Sequence, residues 1–179
     1  VNLLAKITDN DRPVVLIGSH YDTKTGIEGF EGANDSGSST GLLLELARAV
    51  KELPPTGVDV WLAFLDGEEA RAQYSSGDGL HGSRHMAQWI VNEGLKSRIR
   101  AVVILDMVGD RSLSVTIPRN SSMELVSAVF IAARQNGVRE SFSLYPYEVG
   151  DDHEPFLKAG IPAIDIIDFE YGSAPHRND

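Results

Sequence analysis

Cysteine is missing from the 179-residue chain. Disulfides and thiolate metal sites are therefore excluded, and any metal must be held by His, Asp and Glu. Long apolar runs are missing too, since none approaches the roughly 20 residues that cross a bilayer. Positive charge is scarce. Only 16 Lys and Arg stand against 26 Asp and Glu, a formal net charge of −10. That balance excludes the basic face of an electrostatic nucleic-acid binder. There is no Ser-His-Asp order with a nucleophile elbow, and no Gly-rich phosphate loop. The surplus of acid suits a solvated surface, and it is compatible with a site that gathers carboxylates around a cation.

What is present reads as one globular domain. Hydrophobic content is 42% and charged content 23%, both ordinary values. Residues 14–17, 58–65, 101–108 and 161–168 are nearly continuous apolar runs, and 112–117 alternates like a half-exposed strand. Residues 41–53, 83–91 and 121–137 carry helical spacing, and 151–160 suggest a short helix. Pro54-Pro55 stops the first helix, while Ser at the start and Gly137 at the end bound the third. Apolar strands alternating with helices predict an α/β fold: a mostly parallel sheet with helices on both faces, in three layers. Two loops, 24–32 and 71–82, are long for a compact domain, and such loops often carry function. The chain opens at Val1 within a strand-like run and ends at Asp179 in a polar loop. It is read as a single domain over 1–179 that lacks both ends of a longer protein.

Open α/β sheets bind ligands beyond the carboxyl ends of their strands. Five segments deliver acids or His there: His20 and Asp22; Asp35; Asp66, Glu68 and Glu69; Asp106 and Asp110; Asp168 and His176. Any one of them is explicable as a turn or cap residue, but five together are harder to dismiss. In His20-Tyr21-Asp22, a carboxylate two residues on is placed to orient the imidazole of a metal-binding His. Glu68 and Glu69 follow a strand, where neighbouring side chains diverge. One can ligate a cation while the other moves protons. A surface Glu-Glu pair at a helix N-terminus explains the same spacing.

Six motifs then carry a resemblance. GSHYDT, GANDSGSSTGLLLELARA, FLDGEEA, DGLHGSRHMAQ, VILDMVGD and DDHEPFLKAGIPAIDII resemble, in order, metallopeptidase family 28. That family holds di-zinc aminopeptidases and glutaminyl-peptide cyclotransferases, which share the zinc-exopeptidase fold with its mixed, mostly parallel sheet. The longer DGEEA…DGLHGSRH loop and DDHEPFLKAGIP look more like the cyclase branch. GANDSGSS reads more like the aminopeptidase form.

The resemblance implies a zinc enzyme acting on a peptide or protein N-terminus, with one Zn2+ if cyclase-like and two if aminopeptidase-like. It implies zinc ligation by Asp35, which bridges two zincs in the aminopeptidases, and by Glu69. His20 and Asp106 match the second-zinc ligands of the aminopeptidases, and in the cyclases similar positions belong to the hydrogen-bond network around the substrate. Glu68 resembles the general acid/base. Asp151 resembles a cyclase Asp that shares a proton network with that Glu and with Asp106. Asp22 resembles the orienter of His20, and His153 falls near the pocket. A further zinc-binding His is expected from a Trp-His-Thr-like run after the last strand. His176 is the one His in that region, and the ligand is expected beyond Asp179. The resemblance also favours an exported location. A non-catalytic binding module of the same fold is the lesser alternative, because such modules usually lose the ligands or the Glu retained here.

Overall fold

The structure is a computed structural model that describes residues 1–54 and 56–169. Seven strands form one sheet in the order β1-β3-β2-β4-β7-β5-β6. They are β1 Leu3–Lys6, β2 Val14–His20, β3 Asp59–Leu65, β4 Ile99–Asp106, β5 Val115–Pro118, β6 Phe142–Tyr145 and β7 Ala163–Ile167. The four central strands, β3, β2, β4 and β7, are mutually parallel. β1 joins β3 antiparallel, and β5 joins β7 antiparallel. The sheet is therefore mixed but mostly parallel.

Period-two alternation assigns the sheet faces. Trp61, Ala63 and Leu65 of β3 and Val102 and Ile104 of β4 face one way. There they pack on Met86, Ala87 and Ile90 of α2 (His81–Asn92) and Phe156 of α4 (His153–Lys158). Leu62 and Leu105 face the other way, against Leu43, Leu46 and Ala47 of α1 (Gly37–Glu52). On that same face Val103 and Ile166 also meet Val126, Val129 and Phe130 of α3 (Met123–Gln135). Each fully buried Leu or Ile contributes roughly 1.5–3 kcal/mol. Both tryptophans belong to this apolar packing: Trp61 is fully buried and Trp89 packs against the same cluster.

Local chemistry sets the element ends. Leu53 is extended at ψ 148°, as a residue ahead of a proline must be, and so α1 stops before Pro54. Gly137 adopts φ +71° two residues past α3. Ser122 stands at the N-cap of α3, but its hydroxyl accepts from the Ala163 N–H at 3.0 Å rather than from the helix. Instead of capping the helix, it ties α3 to β7. The alternating run 112–117 forms a strand only from Val115. β6, four residues with no apolar run around it, is too short to show in the sequence pattern.

The topology positions the site. The chain leaves β2 through α1 to β3 on one side, then returns past β2 to β4 on the other. The crossover direction reverses between β2 and β4, and a crevice opens beyond their carboxyl ends. His20 ends β2 and Asp106 ends β4.

Candidate active site

His20 Nε2 lies 3.0 Å from Asp35 Oδ1 and 3.4 Å from Asp106 Oδ1. One ligand atom from each of these three residues lies within 4.8 Å of the other two. His20 Nε2 and Asp106 Oδ1 are buried without a hydrogen-bond partner. These two buried atoms face one point, and a cation there would satisfy them. Burial opposes a charged imidazole, but the adjacent carboxylates of Asp106, Asp22 and Asp35 outweigh it and hold the His20 pKa well above its usual value. The pocket therefore favours positive charge at this point, supplied by a proton when no metal is bound. This donor set fits a divalent metal that takes imidazole and carboxylate.

The surrounding hydroxyls explain the Ser- and Thr-rich loop. Ser36 Oγ and Thr40 Oγ1 both donate to the His20 carbonyl, the latter at 2.8 Å. Ser19 Oγ donates to Ser39 Oγ at 2.9 Å. The Asp35 loop is thus latched to the end of β2. Gly109, just past β4, donates its N–H to Asn34 Oδ1 at 2.7 Å. A Cβ on Gly109 would sit 2.7 Å from Ser38 Cβ, so only glycine allows this approach. Met107, between Asp106 and this glycine, has φ +47°, a strained position for a bulky residue of the kind that clusters at functional sites.

Asp22 has a wider task than the spacing suggested. The His20 Nδ1 contact runs to the Asp22 backbone carbonyl at 3.1 Å, with the carboxylate at 3.5 Å. The carboxylate accepts from the N–H groups of Gly67 at 2.8 Å, Glu68 at 3.0 Å and Glu69 at 3.1 Å. Burial would raise its pKa, but His20 and these amides lower it to about 2. Asp22 therefore fixes the turn that carries both glutamates.

The two glutamates diverge. Glu68 is buried, and burial with the charges of Asp151 and Asp152 pushes its pKa up to about 10. Glu69 lies outside the three-residue group and pairs with Lys24 Nζ at 3.2 Å. Burial and Asp35 raise its pKa, against Lys24. A cavity of about 360 Å³ is lined by Asp35, Glu68, Asp106 and Asp151. Tyr74, Tyr145, Tyr147 and Phe169 also line it, and the Tyr145 ring centroid stands 5.1 Å from that of Phe169. Burial raises the Asp106 carboxyl to about 7, with Asp151 acting in the same direction and His20 against it.

Other sequence-predicted residues are placed differently. His153 opens α4, fully buried, with Nδ1 3.8 Å from Asp165 Oδ2 and neither ring nitrogen hydrogen-bonded. It sits behind the cavity wall rather than on it. Asp110 caps the Ser112 N–H at 2.8 Å, and Asp168 accepts from the Ser114 N–H at 3.1 Å. His176 lies outside the described residues. Sequence reasoning missed Lys24, Tyr74, Asp152 and Asp165. Lys24 and Tyr74 fall in the two loops whose length marked them. Asp165 is a lone acid in an apolar strand, a signal that was available.

Fold and site together define a zinc-exopeptidase-type architecture. The chain belongs to peptidase family M28, whose family model matches residues 2–179. Among curated relatives it is 28% identical to a glutaminyl-peptide cyclotransferase of Drosophila melanogaster, over 99% of this chain and 57% of the relative. It is 31% identical to a glutaminyl-peptide cyclotransferase-like protein of Bos taurus, over 99% of this chain and 54% of the relative. Among solved structures, an Acidobacteriales bacterium glutaminyl cyclase superposes with TM-score 0.90 at 35% identity, over 98% of this chain and 60% of that one. A zinc aminopeptidase from Bacillus subtilis superposes with TM-score 0.75 at 28% identity, over 97% of this chain and 41% of that one. The chain thus spans little more than half the length of these curated relatives.

Proposed function

We propose that the full-length protein is a zinc-dependent enzyme acting at peptide N-termini, converting N-terminal Gln to pyroglutamate with release of ammonia. The observation that carries this reading is Glu68. It is a buried carboxyl whose pKa is raised by burial and by Asp151 and Asp152, and it lines one cavity with Asp35 and Asp106 of the His20 group. A cation held beside it would lower that pKa toward the working pH, where a carboxyl can both accept and return a proton. The names of the relatives support the same choice. An exported location belongs to this reading and rests on the family resemblance alone.

In the reaction, the α-amine nitrogen bonds to the side-chain amide carbon, and the bond from that carbon to the amide nitrogen breaks. Glu68 accepts a proton from the attacking amine and returns one to the departing nitrogen, which leaves as ammonia. Asp151 and Asp106 line the cavity with it and set its charge balance. Asp35 would hold a zinc ion, with Glu69 a further ligand once released from Lys24, and His20 and Asp106 would stand beside it in the hydrogen-bond network around the substrate. When bound, zinc supplies Lewis-acid polarisation of the amide carbonyl. Tyr145, Tyr147 and Phe169 offer an apolar wall against the substrate and reduce water access.

A second reading is hydrolysis by a two-zinc aminopeptidase. The gathering of His20, Asp35 and Asp106, with Glu69 outside, favours it, because these residues match the aminopeptidase second-zinc ligands. One comparison separates the readings on full-length protein. An N-terminal glutaminyl peptide and leucine anilide are assayed with zinc quantified in the same sample. Pyroglutamate with about one zinc per chain supports cyclisation. Anilide cleavage with near two zincs and no pyroglutamate would replace it with hydrolysis.

A further inference from the structure

The loop between β3 and α2 holds a side chain to which the reaction above gives no part. The Tyr74 hydroxyl donates to Glu68 Oε2 at 2.9 Å and stands 3.3 Å from Glu69 Oε2. Its ring is half-exposed, with one side resting on the loop. Gly79 lies beneath it at φ +81°, where a Cβ would sit 2.6 Å from the ring, so the residue there must be glycine. Lys24 Nζ stands 5.4 Å from the ring centroid on its way to Glu69.

The loop itself is pinned from within. The Asp78 carboxylate accepts from the N–H groups of Arg71 at 2.8 Å, Ala72 at 2.9 Å and Gln73 at 3.1 Å. Ser75 N–H donates to the Asp78 carbonyl at 2.9 Å. The Arg84 guanidinium, on α2, donates to the carbonyls of Ser75 and Ser76. Three amides on one carboxylate leave an exposed loop little freedom, so the phenol occupies a fixed place.

Glu68 needs such a fixture. It lines a cavity with four other acids, Asp35, Asp106, Glu148 and Asp151, so the partner that orients it must be a donor rather than another carboxylate. A phenol is neutral near pH 7 and always offers its proton, so it holds one Glu68 oxygen and leaves the other for the substrate. We infer that Tyr74 is a positioning residue: its hydroxyl fixes the Glu68 carboxylate for proton exchange, and Asp78 sets the loop geometry that places it. This inference rests on Glu68 being the proton carrier.

The test uses full-length protein and Tyr74→Phe, which keeps the ring and removes only the bond. Steady-state turnover of an N-terminal glutaminyl peptide is followed by ammonia release. A hydrogen bond to a charged group implies that kcat falls about 10- to 100-fold, with KM within about twofold. Asp78→Ala is expected to reproduce the kcat loss and to open the chain to trypsin after Arg71, a readout that needs no turnover. Unchanged kcat in either variant overturns the inference. So does a rise in KM alone, because Tyr74 would then only line the cavity. If the wild type cleaves leucine anilide and makes no pyroglutamate, cyclisation falls and the same kcat comparison is read on the anilide. If the wild type turns over neither substrate, both readings fall.

Discussion

Replacing Asp22 by Asn removes one charge and reverses one hydrogen-bonding group where the glutamate turn is tied down. The carboxamide oxygen still accepts from Gly67 and Glu68, but its NH2 then faces the Glu69 N–H, donor against donor. In the folded chain the carboxyl titrates at about 2 against an ordinary 3.8. At 1.36 kcal/mol per pKa unit, ionised Asp22 contributes about 2 kcal/mol of stability at neutral pH. Its side chain is 19% exposed, so solvent screens little of this. Because the folded value is depressed, the contribution is fully present above the unfolded pKa and is lost as pH falls through the folded one. It falls to about half near pH 3. Urea unfolding of chelator-treated wild type and Asp22→Asn between pH 7 and pH 3 measures this. A difference below about 0.5 kcal/mol at pH 7, the range of ordinary surface changes, would refute the reasoning. So would a difference that does not shrink on acidification.

Glu68→Gln is expected to lower kcat by about 10²- to 10⁴-fold, the usual worth of a general acid/base, while zinc content stays at the wild-type level; retained turnover removes Glu68 as the proton carrier. His20→Ala is expected to lower zinc per chain in full-length protein, measured by metal analysis after dialysis, because it deletes the imidazole on which Asp35 and Asp106 converge; undiminished zinc places the metal elsewhere. Far from the site, Asp59 accepts from the N–H groups of Asn10 at 2.8 Å and Arg12 at 3.0 Å, and from Arg98 at 3.0 Å. Burial opposes its ionisation, but these donors outweigh it and hold its pKa low. Asp59→Asn is therefore expected to lower the melting temperature at pH 7, with the gap to wild type closing as pH falls below the ordinary carboxylate range; a gap constant with pH counts against it.

Much of this protein was written in local pattern. The apolar runs of β2, β3, β4 and β7 specified a mostly parallel sheet, because strands buried on both faces cannot alternate. The absence of cysteine limited the metal chemistry to His and carboxylates. The rim residues His20, Asp35 and Asp106 were legible as acids and His after strands, and the structure brings them to one point. Other features depended on distance in space. Asp22 looked like a partner for one imidazole, and only the approach of β2 to β3 shows its carboxylate collecting three amides from the glutamate turn. His153 looked close to the pocket, yet the first turn of α4 directs it into the core beside Asp165. Tyr74 carried no signal beyond sitting in a long loop, because its contact with Glu68 is made by loop closure across Asp78. Periodicity reports which face a residue occupies. Which charged groups meet, and hence which carboxyls hold protons, is set by burial and spacing across the ends of the strands, and those exist only once the sheet has formed.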